Sequence, residues 1–292
     1  MRTGMLAFAL VLGAPLLGAQ ETAAPRWTAK EVRVVEGFNT PESVCPDVDA
    51  GVVYVSNVEA LEGQYWSNDR KGHISLLTPE GGISQARWLD STAESVINGP
   101  KGMCRLGDYL YFADISRLMR ISTESSGAAP EEIQLPETRM LNDLATDGKY
   151  VYVSDTGLGR VYRVDETGEV TRLPALPGAN GLAFHKGHLF GVSWDQHEVF
   201  ELDPDGKELA RPLGLAQHFA SLDGIEALDD GSLIVSDFTG NKVCVISPDG
   251  KTVGTLVELE SPADIGLDRK RGLLYVPQFM KDRVVICQLT RE

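Results

Sequence analysis

Basic residues are scarce in this 292-residue chain: 27 Lys and Arg stand against 42 Asp and Glu, a formal net charge of −15. Binding a polyanion needs clustered Lys and Arg, and the chain has no such cluster, so nucleic acid is not an expected partner. Cysteine is sparse too. The four present form no CxxC pair and no Cys/His cluster, which removes the usual zinc arrangements. There is no G-x-S-x-G elbow for a serine nucleophile. Helical periodicity is missing throughout. The one long apolar run, Met5 to Leu17, is too short to span a bilayer comfortably. Preceded by Arg2 and followed by Ala19, it reads as a signal peptide over residues 1–20, with no Cys near the cleavage point to receive a lipid. A periplasmic or secreted protein follows, without a membrane span after cleavage and with residues 21–30 as a short tether.

Export would permit disulfides. Cys45 and Cys104, however, occupy matching places in adjacent repeats, and Cys244 and Cys287 sit in matching apolar strands. Matched positions in neighbouring blades lie farther apart than a disulfide spans, so four buried free thiols are expected.

The repeat itself is the main signal. Six short segments recur: Pro41-Glu42-Ser43-Val44, Pro100-Lys101-Gly102-Met103, Leu141-Asn142-Asp143-Leu144, Ala179-Asn180-Gly181-Leu182, Leu222-Asp223-Gly224-Ile225 and Pro262-Ala263-Asp264-Ile265. Their second residues are spaced by 59, 41, 38, 43 and 40 positions. Each segment is followed by a strand-like run such as Tyr150-Val151-Tyr152-Val153, with Asp-Gly and Gly-Asn turns between. Repeats of this length with strand periodicity predict an all-β, six-bladed propeller of four-stranded blades over residues 31–292. Glu31 to Val35 precedes the first repeat, and the last repeat has only three obvious strands. The N-terminal strand is therefore expected to close the last blade and remove two exposed edges. The long first interval holds an insertion from about Val58 to Lys71 carrying Tyr65 and Trp66. It reads either as a lid over one face or as a segment packed on the blade side.

If the repeats are related by rotation, Glu42, Lys101, Asn142, Asn180, Asp223 and Ala263 form a ring at one mouth of the channel. Glu42, Asn142, Asn180 and Asp223 then offer two carboxylates and two amide carbonyls. That is a hard-cation set, suited first to Ca²⁺, with Mg²⁺, Mn²⁺ or Zn²⁺ as other candidates. Taken singly, Asn142, Asn180 and Asp223 also read as turn residues. Lys101 enters the same ring as an anion contact or as an ion-pair partner of Glu42 or Asp223. If its ammonium took the cation's place, the cation site would fail. Asp114, Asp155 and Asp237 end equivalent second strands and read as turn braces, with Asn57 in the matching place and Trp194 assigned to that register in the fourth repeat. The five His residues lie off the ring register.

On Pro41-Glu42-Ser43, Leu141-Asn142-Asp143, Ala179-Asn180-Gly181-Leu182 and Leu222-Asp223-Gly224-Ile225, in that order, the chain resembles the senescence marker protein, gluconolactonase and luciferin-regenerating enzyme family of six-bladed propellers. The resemblance runs from about Val35 to Cys287. It implies one divalent cation held by Glu42, Asn180 and Asp223, with Asn142 touching substrate or metal, and hydrolysis of a sugar lactone or related ester. If the site is catalytic, Asp223, as ligand and nearby carboxylate, is the candidate general base, and Arg139 or Lys101 would orient the substrate's oxygens. The family tends to place an Arg two residues before the Asn matching Asn142. Here that position holds Met140, and Arg139 lies one further back.

The chain thus reads as a monomeric, exported, metal-dependent lactone or ester hydrolase. Two other readings stand beside it. One is a non-catalytic propeller, like those of NHL repeats, binding a sugar, peptide or protein. The other is a strictosidine-synthase-like condensing enzyme using Glu226.

Overall fold

The computed structural model describes residues 27–124, 127 and 129–291. The expected signal segment over residues 1–20 and residues 21–26 of the expected tether lie outside the described residues. Among those described, 24 strands form six antiparallel four-stranded sheets. Strand β1 (Trp27–Glu36) precedes the first blade, which is built from β2 (Pro41–Asp47), β3 (Val52–Asn57), β4 (His73–Leu77) and β5 (Ile83–Leu89). The second blade holds β6 (Pro100–Leu106), β7 (Tyr109–Asp114), β8 (Arg117–Ser122) and β9 (Glu131–Ile133). The third holds β10 (Leu141–Thr146), β11 (Val151–Asp155), β12 (Arg160–Val164) and β13 (Val170–Arg172). The fourth holds β14 (Ala179–His185), β15 (His188–Ser193), β16 (Glu198–Leu202) and β17 (Arg211–Pro212). The fifth holds β18 (Leu222–Ala227), β19 (Leu233–Asp237), β20 (Lys242–Ile246) and β21 (Val253–Glu258). In the sixth, β22 (Gly266–Asp268), β23 (Leu273–Gln278) and β24 (Arg283–Arg291) are completed by β1, so the six-bladed propeller closes through its N-terminal strand as expected.

That strand reaches back to Trp27, which pairs with Arg291, so residues 27–30, read from the sequence as tether, belong to the sheet. Trp27 Nε1 also donates to Asp230 Oδ2 of the fifth blade at 2.9 Å. No helix among the described residues is long and apolar enough to cross a membrane.

Middle strands are buried on both faces, which explains apolar runs without alternation, such as Val52-Val53-Tyr54-Val55. The core lies between blades rather than within any one. Val192 and Val199 of the fourth blade, for example, pack with Ile225, Val235 and Cys244 of the fifth. Each fully buried Val, Leu, Ile or Phe stabilises the ring by roughly 1.5–3 kcal/mol relative to exposure. All four cysteines are free and buried in this packing, as the matched positions predicted.

Two devices place the ring residues. In the first five blades the pairing of the inner strand slips just after its first residue, as between Pro41/Val44 and Leu222/Ile225. The extra residue makes a bulge that turns the second side chain of each repeat segment inward. Where a bulge frees a backbone N–H, a serine of the facing strand takes it: Ser43 N donates to Ser56 Oγ, Asp143 N to Ser154 Oγ and Gly224 N to Ser236 Oγ, at 2.9, 2.9 and 2.7 Å. The second device is the carboxylate at the end of the second strand. Asp155 accepts from Arg139 N and Met140 N at 2.7 and 3.1 Å, Asp237 from Ser221 N at 2.8 Å, and Asp114 from Gly99 N at 2.8 Å. These aspartates brace the loops that deliver the ring residues, as the turn reading predicted, and do not line the channel mouth.

Candidate functional site

Glu42, Lys101, Asn142, Asn180 and Asp223 meet at the floor of one cavity of about 510 Å³ at the channel mouth. All five are between 2% and 7% exposed. The bulged inner strands therefore do assemble the ring inferred from the repeat.

The two amides are oriented by their neighbours. Asn180 Nδ2 donates to Asp223 Oδ1 at 2.9 Å and to the Leu222 carbonyl at 3.4 Å. Its Oδ1 has no hydrogen-bond partner, although it is fully buried. Asn142 Nδ2 donates to Thr156 Oγ1 at 3.1 Å, and that hydroxyl in turn donates to the Ala179 carbonyl at 2.5 Å. With its nitrogen held at the wall, Asn142 presents its oxygen to the cavity. Glu42 Oε2 is a second buried oxygen without a partner. Leaving such a group unpaired costs about 1–3 kcal/mol, and more when it is charged.

Lys101 is the one cation in the ring. Its Nζ lies 3.9 Å from Glu42 Oε1, within ion-pair reach but too far for a hydrogen bond. It also sits 4.4 Å from the centre of the Trp66 ring and 5.8 Å from that of Phe279, so aromatic faces hold part of its charge. Of the two ion-pair partners that the sequence offered Lys101, Glu42 is the one within reach. The ammonium leaves both orphaned oxygens unsatisfied.

Burial dominates the electrostatics. It pushes the Glu42 carboxyl well above its ordinary value, against the pull of Lys101 and with a further push from Asp223. Burial raises the Asp223 carboxyl to about 6, with Lys101 and the Asn180 amide opposing. Burial lowers Lys101, which Glu42 and Asp223 only partly offset. The isolated pocket thus favours neutral forms, and a cation placed among the oxygens would reverse that preference.

Directly beneath lies a second ring, made by the third residue of each repeat segment. Ser43 Oγ donates to Asp264 Oδ2 at 2.5 Å, and Asp143 Oδ2 accepts from Leu182 N at 2.6 Å. Burial lifts the Asp143 carboxyl to about 8, and burial together with the nearby Asp143 lifts Asp264 well above its usual range. Asp264 N also donates to the Glu42 carbonyl at 2.9 Å. The narrow axis explains Gly102: a Cβ there would lie 2.3 Å from Asp143 Oδ1 and 2.4 Å from its Cα.

Four of the wall residues come from one recurring place, the residue after the second strand: Thr156, Trp194, Phe238 and Phe279; Val58 and Ile115 hold that place in the first two blades and do not line the cavity. In five blades the N–H at that place donates to the carbonyl two residues before the ring position, as in Trp194 N to Gly178 O at 2.8 Å and Phe238 N to Ser221 O at 2.8 Å. Trp194 is therefore one residue later than the sequence register placed it, and it lines the cavity rather than packing within its blade. Trp194, Phe238, Phe279 and Tyr65 follow one another around the mouth with ring centres 5.5, 5.8 and 4.9 Å apart. Of the two readings of the insertion, the lid is the one found, since Tyr65 and Trp66 both line the cavity. Phe238, Phe279 and Met280 were not singled out from the sequence. The signal available was the residue following each strand-ending Asp, Asn, Ser or Gln.

Arg139 does not join the site. It is exposed, its side chain lies against Gly157, and Met140 faces the cavity in its place. Glu226 pairs with Arg269 at 3.0 Å and lines a separate cavity of about 260 Å³. No group of three His, Cys, Asp or Glu side chains suited to a metal occurs among the described residues, so a cation here would rest on two carboxylates and amide oxygens. The orphaned acceptors and the fixed amides fit such an ion.

No family model matches the chain, and no curated protein matches it significantly. Several solved structures share its fold. A catalytically inactive variant of virginiamycin B lyase from Staphylococcus aureus, determined with quinupristin, is 15% identical, with 90% of this chain and 100% of that one covered and a TM-score of 0.62. A structural-genomics target provisionally described as a gluconolactonase is 18% identical, with 91% and 93% covered and a TM-score of 0.67. A chain of the nidogen/laminin complex is 16% identical, with 84% and 87% covered and a TM-score of 0.61. At these identities the likeness establishes the fold alone.

Proposed function

We propose that this chain is an exported, divalent-cation-dependent hydrolase of small lactones or related esters. The observation that carries the reading is the pair of buried, unpartnered oxygens, Glu42 Oε2 and Asn180 Oδ1, on a cavity floor shared with Asp223 and Asn142. Acceptors so placed suit a hard cation, with Ca²⁺ first. Once bound, such an ion supplies Lewis-acid polarisation of a carbonyl and acidifies a coordinated water. Glu42, Asn142, Asn180 and Asp223 would hold it. Asp223, with Oδ1 fixed by Asn180, would take a proton from water. Lys101 would steady the substrate's oxygen. Arg139, outside the cavity, has no part. Support of a weaker kind comes from the neighbouring structures, two of whose names denote enzymes acting on small molecules.

A binding propeller without turnover is favoured by one observation, the Lys101 ammonium already inside the ring. The nidogen/laminin neighbour shows that proteins of this fold also occur in protein complexes. The deciding experiment is a panel of lactones and esters assayed on EDTA-treated protein before and after adding Ca²⁺, Mg²⁺, Mn²⁺ or Zn²⁺. Cation-restored turnover that is lost in Asp223→Ala is expected. Binding of panel members with no turnover under any cation would leave the binding propeller.

A further inference from the structure

Above its floor the cavity is almost wholly apolar. Tyr65, Trp66, Trp194, Phe238, Phe279 and Met280 line it, drawn from the insertion and from the fourth, fifth and sixth blades. The aromatic rings contact one another in sequence, which fixes the wall as a preformed surface. Wall groups able to hydrogen-bond a ligand are few. The Thr156 hydroxyl is engaged on both sides, by the Asn142 amide and the Ala179 carbonyl. The Tyr65 hydroxyl is directed at Met280 Sδ, 3.6 Å away. Asp195 is exposed at the rim, which leaves the two indole N–H groups.

Aromatic faces can cover the C–H faces of a sugar, but each sugar hydroxyl taken from water also needs a partner, and this wall does not provide them. Resting on the hydrolase reading above, we propose that the substrate is a lactone or ester whose non-reacting part is an alkyl chain or aryl ring, not a polyhydroxylated sugar. The reacting carbonyl faces the oxygen floor and Lys101, and the apolar part lies along the arc from Trp194 to Trp66. A volume of about 510 Å³ falls in the range of pockets that take small organic ligands.

The test uses the full mature protein with Ca²⁺ and two matched series. One is γ-lactones of five to eight carbons together with glucono-δ-lactone. The other is the corresponding alkyl lactams and gluconolactam, which resist hydrolysis and are followed by tryptophan fluorescence. Both kcat/KM for the lactones and affinity for the lactams are expected to rise about fourfold per methylene, with the sugar-derived members at least tenfold poorer than the eight-carbon ones. Trp66→Ala and Phe279→Ala should flatten the chain-length slope to under twofold per methylene. If either loses its fold by circular dichroism, Trp66→Leu and Phe279→Leu carry the same test. Sugar-derived ligands equal to or better than the alkyl series would overturn the proposal, as would an unchanged slope in folded variants. The two readings fail separately. A lactam slope without lactone turnover keeps the apolar ligand and removes the hydrolase, whereas turnover of glucono-δ-lactone alone keeps the hydrolase and removes the apolar substrate.

Discussion

The Asn180 side chain donates through Nδ2 to Asp223 Oδ1 at 2.9 Å, across the boundary between the fourth and fifth blades. This one contact orients the Asn180 oxygen toward the cavity and opposes the upward push of burial on the Asp223 carboxyl. Asn180→Ala should therefore raise the Asp223 carboxyl further above about 6 and remove one cation ligand. Hydrogen bonds to charged groups are worth about 1.5–3 kcal/mol. Calcium affinity at pH 7 is expected to fall at least tenfold and to recover partly at pH 8, as read by calorimetric titration. Unchanged affinity would count against the ligand set.

Lys101 supplies a test of opposite sign. An ammonium about 4 Å from another unit charge interacts with it by roughly 4 kcal/mol at an effective dielectric constant of 20. Replacing it by the apolar Lys101→Met should raise cation affinity more than tenfold. Without cation the same change removes the one charge that pulls the Glu42 carboxyl down, so Glu42 holds its proton more firmly and stability is expected to change little. Melting curves with and without Ca²⁺ check both effects. Ester turnover should fall even at saturating cation, because the substrate contact is gone.

The acids of the two rings give a pH dependence whose sign is fixed. Asp223, raised from 3.8 to about 6, holds its proton more tightly folded than unfolded. Its contribution is present at low pH and is lost as pH climbs through about 6, on the order of 3 kcal/mol in all. Asp143, raised to about 8, acts in the same direction, as do the raised Glu42 and Asp264. Lys101, lowered by burial, acts oppositely, but only between its own titration point and 10.5. In EDTA the melting temperature should fall from pH 4 to pH 7. Saturating Ca²⁺ should reduce that fall, because the ion favours the ionised carboxylates.

Closure by β1 predicts the effect of a truncation. Removing residues 1–36 strips the partner of β24 and the Trp27–Asp230 contact, opening an edge in the sixth blade. That protein is expected to be insoluble or to melt many degrees lower.

Much of this molecule could be read from the chain because a fixed bulge recurs at a fixed place. It turns the second residue of each repeat segment inward, so Glu42, Lys101, Asn142, Asn180 and Asp223 align in sequence as they do in space. Arg139 illustrates the limit. Arg139 lies in the bend before β10 with its side chain against Gly157, whereas Met140, one step later, faces the cavity. Phe238 and Phe279 of the aromatic wall escaped for another reason. Their positions follow the second strands, where residues from Val58 to Trp194 differ in type and share only a backbone hydrogen bond. Only the polar residue that ends each second strand, Asp, Asn, Ser or Gln, marks such a place.

Cation binding by the ring underlies every role given to Glu42, Asn142, Asn180 and Asp223. EDTA-treated protein titrated with Ca²⁺ in a calorimeter at pH 7.5, beside Asp223→Ala, measures it. One ion per chain in the native protein, a higher melting temperature when bound and no binding in the variant are the predicted results. Native protein that binds neither Ca²⁺ nor Mg²⁺, Mn²⁺ or Zn²⁺ at millimolar concentration, and melts the same with and without them, would contradict it.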